Sequence, residues 1–291
     1  MVNTVIVTVS DDRFGRKDGK YSQTQDKIEA LFKNNPQFGI NEVRSYKWKD
    51  IVQTEFYRSN KAMLDNPDPC MNGRAYKPYA IREAFLTLSE GDFLIYVDSS
   101  PEMWSAFLGI SIIDSSRYDL NVAKDLCRKN GGILSIHVKW DGEKHLMNGQ
   151  IGKHTHANFT LDRCINTMGC QQYRPSLQHA SGMFVIEVSK KSRDFVDEWF
   201  CYNQMPECAS LGPASEDFTK YANHSYWVAE DKIKIGHRHD QSISGLLINK
   251  MNNDLVEIPE DTNGIHGYNF LNFCKKNTKY TFINSNAVDK S

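Results

Sequence analysis

Six places in this sequence carry residue types that could do chemistry rather than packing. Asp98 closes the run Phe93-Leu94-Ile95-Tyr96-Val97, and Ser10-Asp11 closes Thr4-Val5-Ile6-Val7-Thr8-Val9. Both runs read as short buried strands ending in polar loops, where open α/β sheets bind ligands. Lys77, with Arg74 three residues earlier, stands before a helical stretch and sets positive charge beside a helix N-terminus, which suits an anion. Asp240-Gln241 opens a segment bearing Ile243, Leu246 and Leu247 at helical spacing, so Asp240 reads as an N-cap or as a site carboxylate. Imidazoles cluster at His154-Thr155-His156 and His237-Arg238-His239. Neither cluster has Cys or His partners at finger spacing, which argues against structural zinc.

Several chemistries are excluded outright. No G-x-G-x-x-G follows the first strand, and there is no G-x-x-x-x-G-K-[ST], H-E-x-x-H or G-x-S-x-G. Lys plus Arg number 35 against 36 Asp plus Glu, a formal charge of −1, so no field tracks a nucleic-acid backbone. With 40% hydrophobic and 11% aromatic residues over 291 positions, the chain is globular rather than disordered. Seven cysteines, an odd number without a C-x-x-C pair, read as reduced thiols and lead us to expect a cytoplasmic protein. The N-terminus does not read as a signal peptide, and no run of apolar residues is long enough to span a bilayer. On that expectation the sequons at Asn158 and Asn223 are chance.

The elements that must hold these residues follow from periodicity. Helices are expected around Ile28, Leu31 and Phe32, around Ile81, Phe85 and Leu88 with Pro78 near the start, and from Arg193 to Phe200. Strands are expected over 4–9, 93–97, 133–136 and 183–188. The polar stretch 139–180 reads as loops and short helices over a site. No repeat or long linker interrupts the chain. We therefore expect an α/β fold with one domain, 1–291, made of two lobes, 1–138 and 139–291.

Three segments in order carry a resemblance: Lys77-Pro78-Tyr79-Ala80-Ile81, Gly91-Asp92-Phe93-Leu94-Ile95-Tyr96-Val97-Asp98, and His239-Asp240-Gln241-Ser242-Ile243. Together they resemble a family of GT-A glycosyltransferases of bacteria and large DNA viruses, distantly like glycogenin and lipooligosaccharide galactosyltransferases. Gln178-His179-Ala180-Ser181-Gly182 and the pair Glu198-Trp199 are similar to that family's middle region. The resemblance runs over about 75–250. It implies a mixed, mostly parallel central sheet flanked by helices, with the nucleotide sugar on the 1–138 side and the acceptor on the 139–291 side.

Site roles follow from the resemblance residue by residue. Asp98 falls where the D-x-D motif puts its metal carboxylate, and the resemblance implies Mn²⁺ or Mg²⁺ there, with His266 as the late histidine ligand. Here the motif reads Asp98-Ser99-Ser100, with serine in place of the second acid. Lys77, with Arg74 near it, would meet the donor's phosphates or its sugar, and Thr8, Ser10 and Asp11 its base and ribose. Asp240 and Gln241 would face the donor sugar as the catalytic pair. His154 and His156 lie in the polar middle, where an acceptor could bind. The activity so implied is transfer of a sugar from a nucleotide sugar, UDP-linked, to a glycan or glycoprotein glycan. Two alternatives stand beside it: an inactive GT-A-like module that binds a glycan or partner, and another nucleotide-dependent transferase.

Overall fold

The computed structural model describes residues 2–11, 19–66, 74–105, 107, 109–137, 155–209, 239–256 and 269–286. They build one seven-stranded sheet: β1 (Thr4–Ser10), β2 (Glu42–Lys47), β3 (Phe93–Val97), β4 (Ile133–His137), β5 (His179–Glu187), β6 (Leu255–Val256) and β7 (Phe282–Ile283). The spatial order is β2-β1-β3-β5-β4-β6-β7. β1 pairs in parallel with β2 and β3, β5 runs antiparallel to β3 and β4, and β6 returns parallel to β4 with β7 antiparallel beside it. The class is α/β and the sheet is mixed, with β5 and β7 opposed to the other strands.

The described helices are α1 (Lys20–Lys33), α2 (Trp48–Ile51), α3 (Glu55–Leu64), α4 (Tyr76–Phe85), α5 (Pro101–Trp104) and α6 (Leu120–Lys129). They continue with α7 (His156–Phe159), α8 (Asp162–Thr167), α9 (Lys190–Tyr202), α10 (Pro206–Ala209) and α11 (Asp240–Lys250). Strand alternation divides the core into two layers. Val5, Val7 and Val9 of β1 and Leu94 and Tyr96 of β3 pack with α4, α9 and α11. Ile6, Phe93, Ile95 and Val97 pack on the other face with α1 and α6. Both strands are buried on both sides, which explains their near-continuous apolar sequence.

Several expectations shift. β2 was not expected: Glu-Val-Arg-Ser-Tyr-Lys is half-buried at the sheet edge and lacks an apolar run. β5 begins at His179 rather than 183; His179 bonds Ser244 and Ser181 accepts from Lys77, so no apolar run marks the strand's start. α9 starts earlier than Arg193, at a capping box in which Ser189 and Ser192 bond each other's backbone N–H. From residue 155 the polar middle does form short helices; residues 139–154 lie outside the described ones. The two lobes share the sheet, since β5 of the second is inserted between β3 and β4 of the first.

Candidate functional site

The carboxyl ends of β1 and β3 and the first turn of α4 enclose a cleft of about 230 Å³. Val9, Asp11, Arg74, Lys77, Asp98 and Ser100 are on its walls, with Tyr21, Tyr76, Tyr96 and Met103. Period two along β3 sends Tyr96 to the α4 side, and Asp98, two residues on, follows it. The loop after β3 is tied in place: Ser99 Oγ donates to the Val9 carbonyl (2.8 Å) and Trp104 Nε1 to the Asp98 carbonyl (2.9 Å).

Lys77 is not ahead of the helix but inside its first turn, and its side chain is 4% exposed. Its Nζ lies 3.2 Å from Asp98 Oδ1 and 3.0 Å from Asp240 Oδ2. It donates to the Ser181 carbonyl (3.2 Å) and Oγ (3.3 Å), and rests over the Tyr96 ring at 5.2 Å. Burial alone would lower this ammonium's pKa, but Asp240 and Asp98 outweigh it, and the net shift is upward. Lys77 is therefore a fixed cation between two carboxylates. Burial, reinforced by the Asp98 charge, raises the Tyr96 phenol well above its ordinary value, so it stays a donor; its OH donates to Asp98 Oδ1 at 2.6 Å.

Asp240 does not cap its helix. It is the first residue of α11, His239 holds the cap position, and the carboxylate turns into Lys77 at 2% side-chain exposure. The turn that achieves this is strained: His239 has φ 49°. Arg74, on the cleft wall, has φ 50°. Of the four described non-glycine residues with positive φ, the other two are asparagines, which take it readily. Both strained residues thus adjoin the site, at a cost on the order of 1–3 kcal/mol each. Two bonds hold the α11 start: Trp199 Nε1 donates to the Asp240 carbonyl (3.0 Å), and His239 Nδ1 pairs with the Ala209 carbonyl (2.9 Å).

Behind the cleft, Gln241 Nε2 donates to Gln178 Oε1 (3.3 Å), the entry to a sealed polar web. Gln178, His156, His179, Ser242 and Ser244 are all fully buried there. His156 Nδ1 meets Thr160 Oγ1 at 2.8 Å, and His179 Nε2 meets Ser244 Oγ at 2.8 Å. Burial pushes both imidazoles down to about 3, so both are neutral.

Of the residues singled out from sequence, Asp11, Arg74, Lys77, Asp98 and Ser100 come together on the cleft, and Asp240 joins them beneath it. Thr8 and Ser10 do not line it. Thr8 is fully buried, and the Ser10 hydroxyl pairs with Ser22 Oγ of α1 at 3.1 Å. His156 belongs to the sealed web, where no acceptor reaches it. His154 and His266 lie outside the described residues. Sequence reasoning missed Tyr96, Ser181 and Trp199 as site residues. Tyr96 was findable, since a polar-tipped residue two before Asp98 on a strand shares its face.

The fit to a divalent cation rests on Asp98. Tyr96 and Lys77 both engage Oδ1, and Oδ2 faces Gly182, where a Cβ would come within 3.3 Å of it. The absent side chain keeps room beside a hard oxygen donor, and the 32% exposure of Asp98 opens it to the cleft. Ser100 is alongside, with its hydroxyl bonded to Glu102. Among the described residues no three His, Cys, Asp or Glu converge as a complete metal centre. A cation here would have one protein carboxylate and would need ligand oxygens for the rest. Comparison with protein-family models gives no match, and comparison with curated proteins gives none either.

Proposed function

We propose that this protein is a GT-A-type glycosyltransferase that moves a sugar from a nucleotide sugar, UDP-linked, to a glycan or glycoprotein-glycan acceptor. One observation carries the reading: Lys77, Asp98 and Asp240, from three segments far apart in the chain, meet within 3.2 Å around one ammonium at a strand-end cleft. Packing does not require this, since a buried ion cluster of this kind contributes little net stability.

In this reading the diphosphate lies across the carboxyl ends of β1 and β3, with Arg74 and Lys77 toward its oxygens. Departure of a nucleoside diphosphate builds negative charge on the leaving oxygen, which fixed cations offset in the transition state. Mn²⁺ or Mg²⁺, held by Asp98, would supply further positive charge there. Lys77 keeps the Asp240 carboxylate in place beneath the donor sugar, where it accepts from sugar hydroxyls. We place the reaction in the cytoplasm, in keeping with an odd cysteine count.

The test is a thermal-shift panel of UDP-, GDP- and CMP-sugars, each with and without Mn²⁺. A UDP-sugar at a hundred times its Kd should add about 2.7 kcal/mol to stability. A shift with GDP- or CMP-sugars alone overturns the donor class, and no shift with any donor overturns the reading. Ser100 in place of a second acid favours one alternative, a GT-A-like module that binds a donor without transferring it. Donor binding with no release of nucleoside diphosphate would select that alternative.

A further inference from the structure

The polar web behind the cleft has a direction, and that direction is set by one atom. The Phe159 carbonyl oxygen can only accept. Ser242 Oγ donates to it at 2.8 Å and Gln178 Nε2 donates to it at 3.1 Å. With its hydrogen committed to Phe159, the Ser242 hydroxyl meets Gln178 as an acceptor, at 3.2 Å. Thr160 Oγ1 lies 2.7 Å from the same amide nitrogen. Turning the Gln178 amide over would put its oxygen against the Phe159 carbonyl inside a site that water does not reach, where an unpaired acceptor costs most. The nitrogen end of Gln178 is therefore fixed inward and its Oε1 is fixed toward Gln241. Gln241 can answer only with its own N–H, at 3.3 Å. Its Oε1 is the end that Gln178 does not hold.

We propose that Gln178 is a positioning residue that locks the Gln241 amide with its nitrogen toward the web and its carbonyl oxygen turned away from it, so that, on the glycosyltransferase reading, Gln241 offers an acceptor, not a donor, to the ligand. The ligand class this suits is a hydroxyl-bearing or electron-poor carbon centre, as in a glycosyl donor. The assignment of chemistry to Gln241 rests on the glycosyltransferase reading; the orientation of its amide does not. The neutral state of His156, from burial, fits the arrangement, since its Nδ1 lies 3.3 Å from Gln178 Nε2 and only a neutral imidazole can present an acceptor there.

Two measurements separate these levels. The first needs no substrate: hydrogen exchange of side-chain amides by NMR on the full chain. Gln241→Met identifies the Gln241 pair by its loss. In the wild type that pair should exchange at least tenfold more slowly than exposed glutamines, and in Gln178→Met it should exchange at their rate. Fast exchange in the wild type overturns the lock whatever the protein's activity. The second is turnover in a protein shown to release nucleoside diphosphate. Gln178→Met should lower kcat tenfold or more with donor KM within twofold. Unchanged kcat in a folded Gln178→Met protein overturns the positioning role. Should Gln178→Met fail to fold, wild type and Gln241→Met alone still decide the lock.

Discussion

Asp240 and Gln241 are neighbours, yet they look into two polar regions built on opposite terms. Asp240 enters a charged cluster: an ammonium between two carboxylates, open to a cleft through Asp98. Gln241 enters a neutral web of amides, hydroxyls and imidazoles that is sealed from solvent. Charge is kept where the cluster opens to a cleft through Asp98, and directional but uncharged bonding is kept where solvent does not enter. This is what the cost of burial dictates, because an isolated charge in the web would be far more expensive than a satisfied amide. The start of α11 therefore joins a charged cluster that opens to a cleft to a neutral brace that holds it still.

Breaking the charged side should have the largest effect. Lys77→Met leaves two carboxylates facing each other without a cation, and stability should fall by about 3–5 kcal/mol, read by urea denaturation. Adding Asp240→Asn to that variant should recover part of the loss; a further loss of the same size would mean the three groups are not one cluster. Asp240→Asn alone should lower turnover by a factor on the order of 10², because the carboxylate is lost while shape is kept. Normal turnover in that variant would make Asp240 a structural partner of Lys77 only.

The sealed side can be tested by crowding it. A Cβ at Gly245 would come 2.8 Å from His156 Cε1 and 3.3 Å from His179 Cδ2, both on fully buried rings. Gly245→Ala should thus destabilise by about 1–3 kcal/mol, although alanine is the better helix former. A gain in melting temperature would show that the web yields. The finest probe is pH. His156 and His179 titrate near 3 when folded and near 6.5 otherwise, so the unfolded chain binds more protons between those values. Their contribution is complete above pH 6.5 and is lost as pH falls toward 3. Each should give up to about 1.4 kcal/mol per pH unit. His156→Asn should flatten the slope of stability against pH between 6 and 5; an unchanged slope would place the proton uptake elsewhere.

Much of the frame was legible, and the reason is burial on both faces. β1, β3 and the centre of β5 are read from apolar runs because both faces meet the core. β2 and the start of β5 were not, since the edge and the web accept polar residues that break the pattern. The residues of the charged cluster were legible, but their meeting was not. Asp98 and Lys77 stand at element ends that physics marks out, and Asp240 read both as a cap and as a site carboxylate; its side chain does not fill the cap role. Gln178 carried no signal of its own, because nothing local in a sequence tells an amide fixed by a distant carbonyl from one in solvent.

The insertion of β5 between β3 and β4 bears on how the nascent chain is made. β4 ends at His137 and β5 begins at His179, so for that interval a growing chain carries β3 and β4 with the strand between them still missing. At ~5–20 residues per second the gap lasts a few seconds of translation. During that time the facing edges of β3 and β4 stand unpaired, the kind of surface that draws other chains or chaperones. Lys77 waits longer still, until Asp240 has left the ribosome. A chain stopped after residue 138 should therefore be insoluble however good its first strands are.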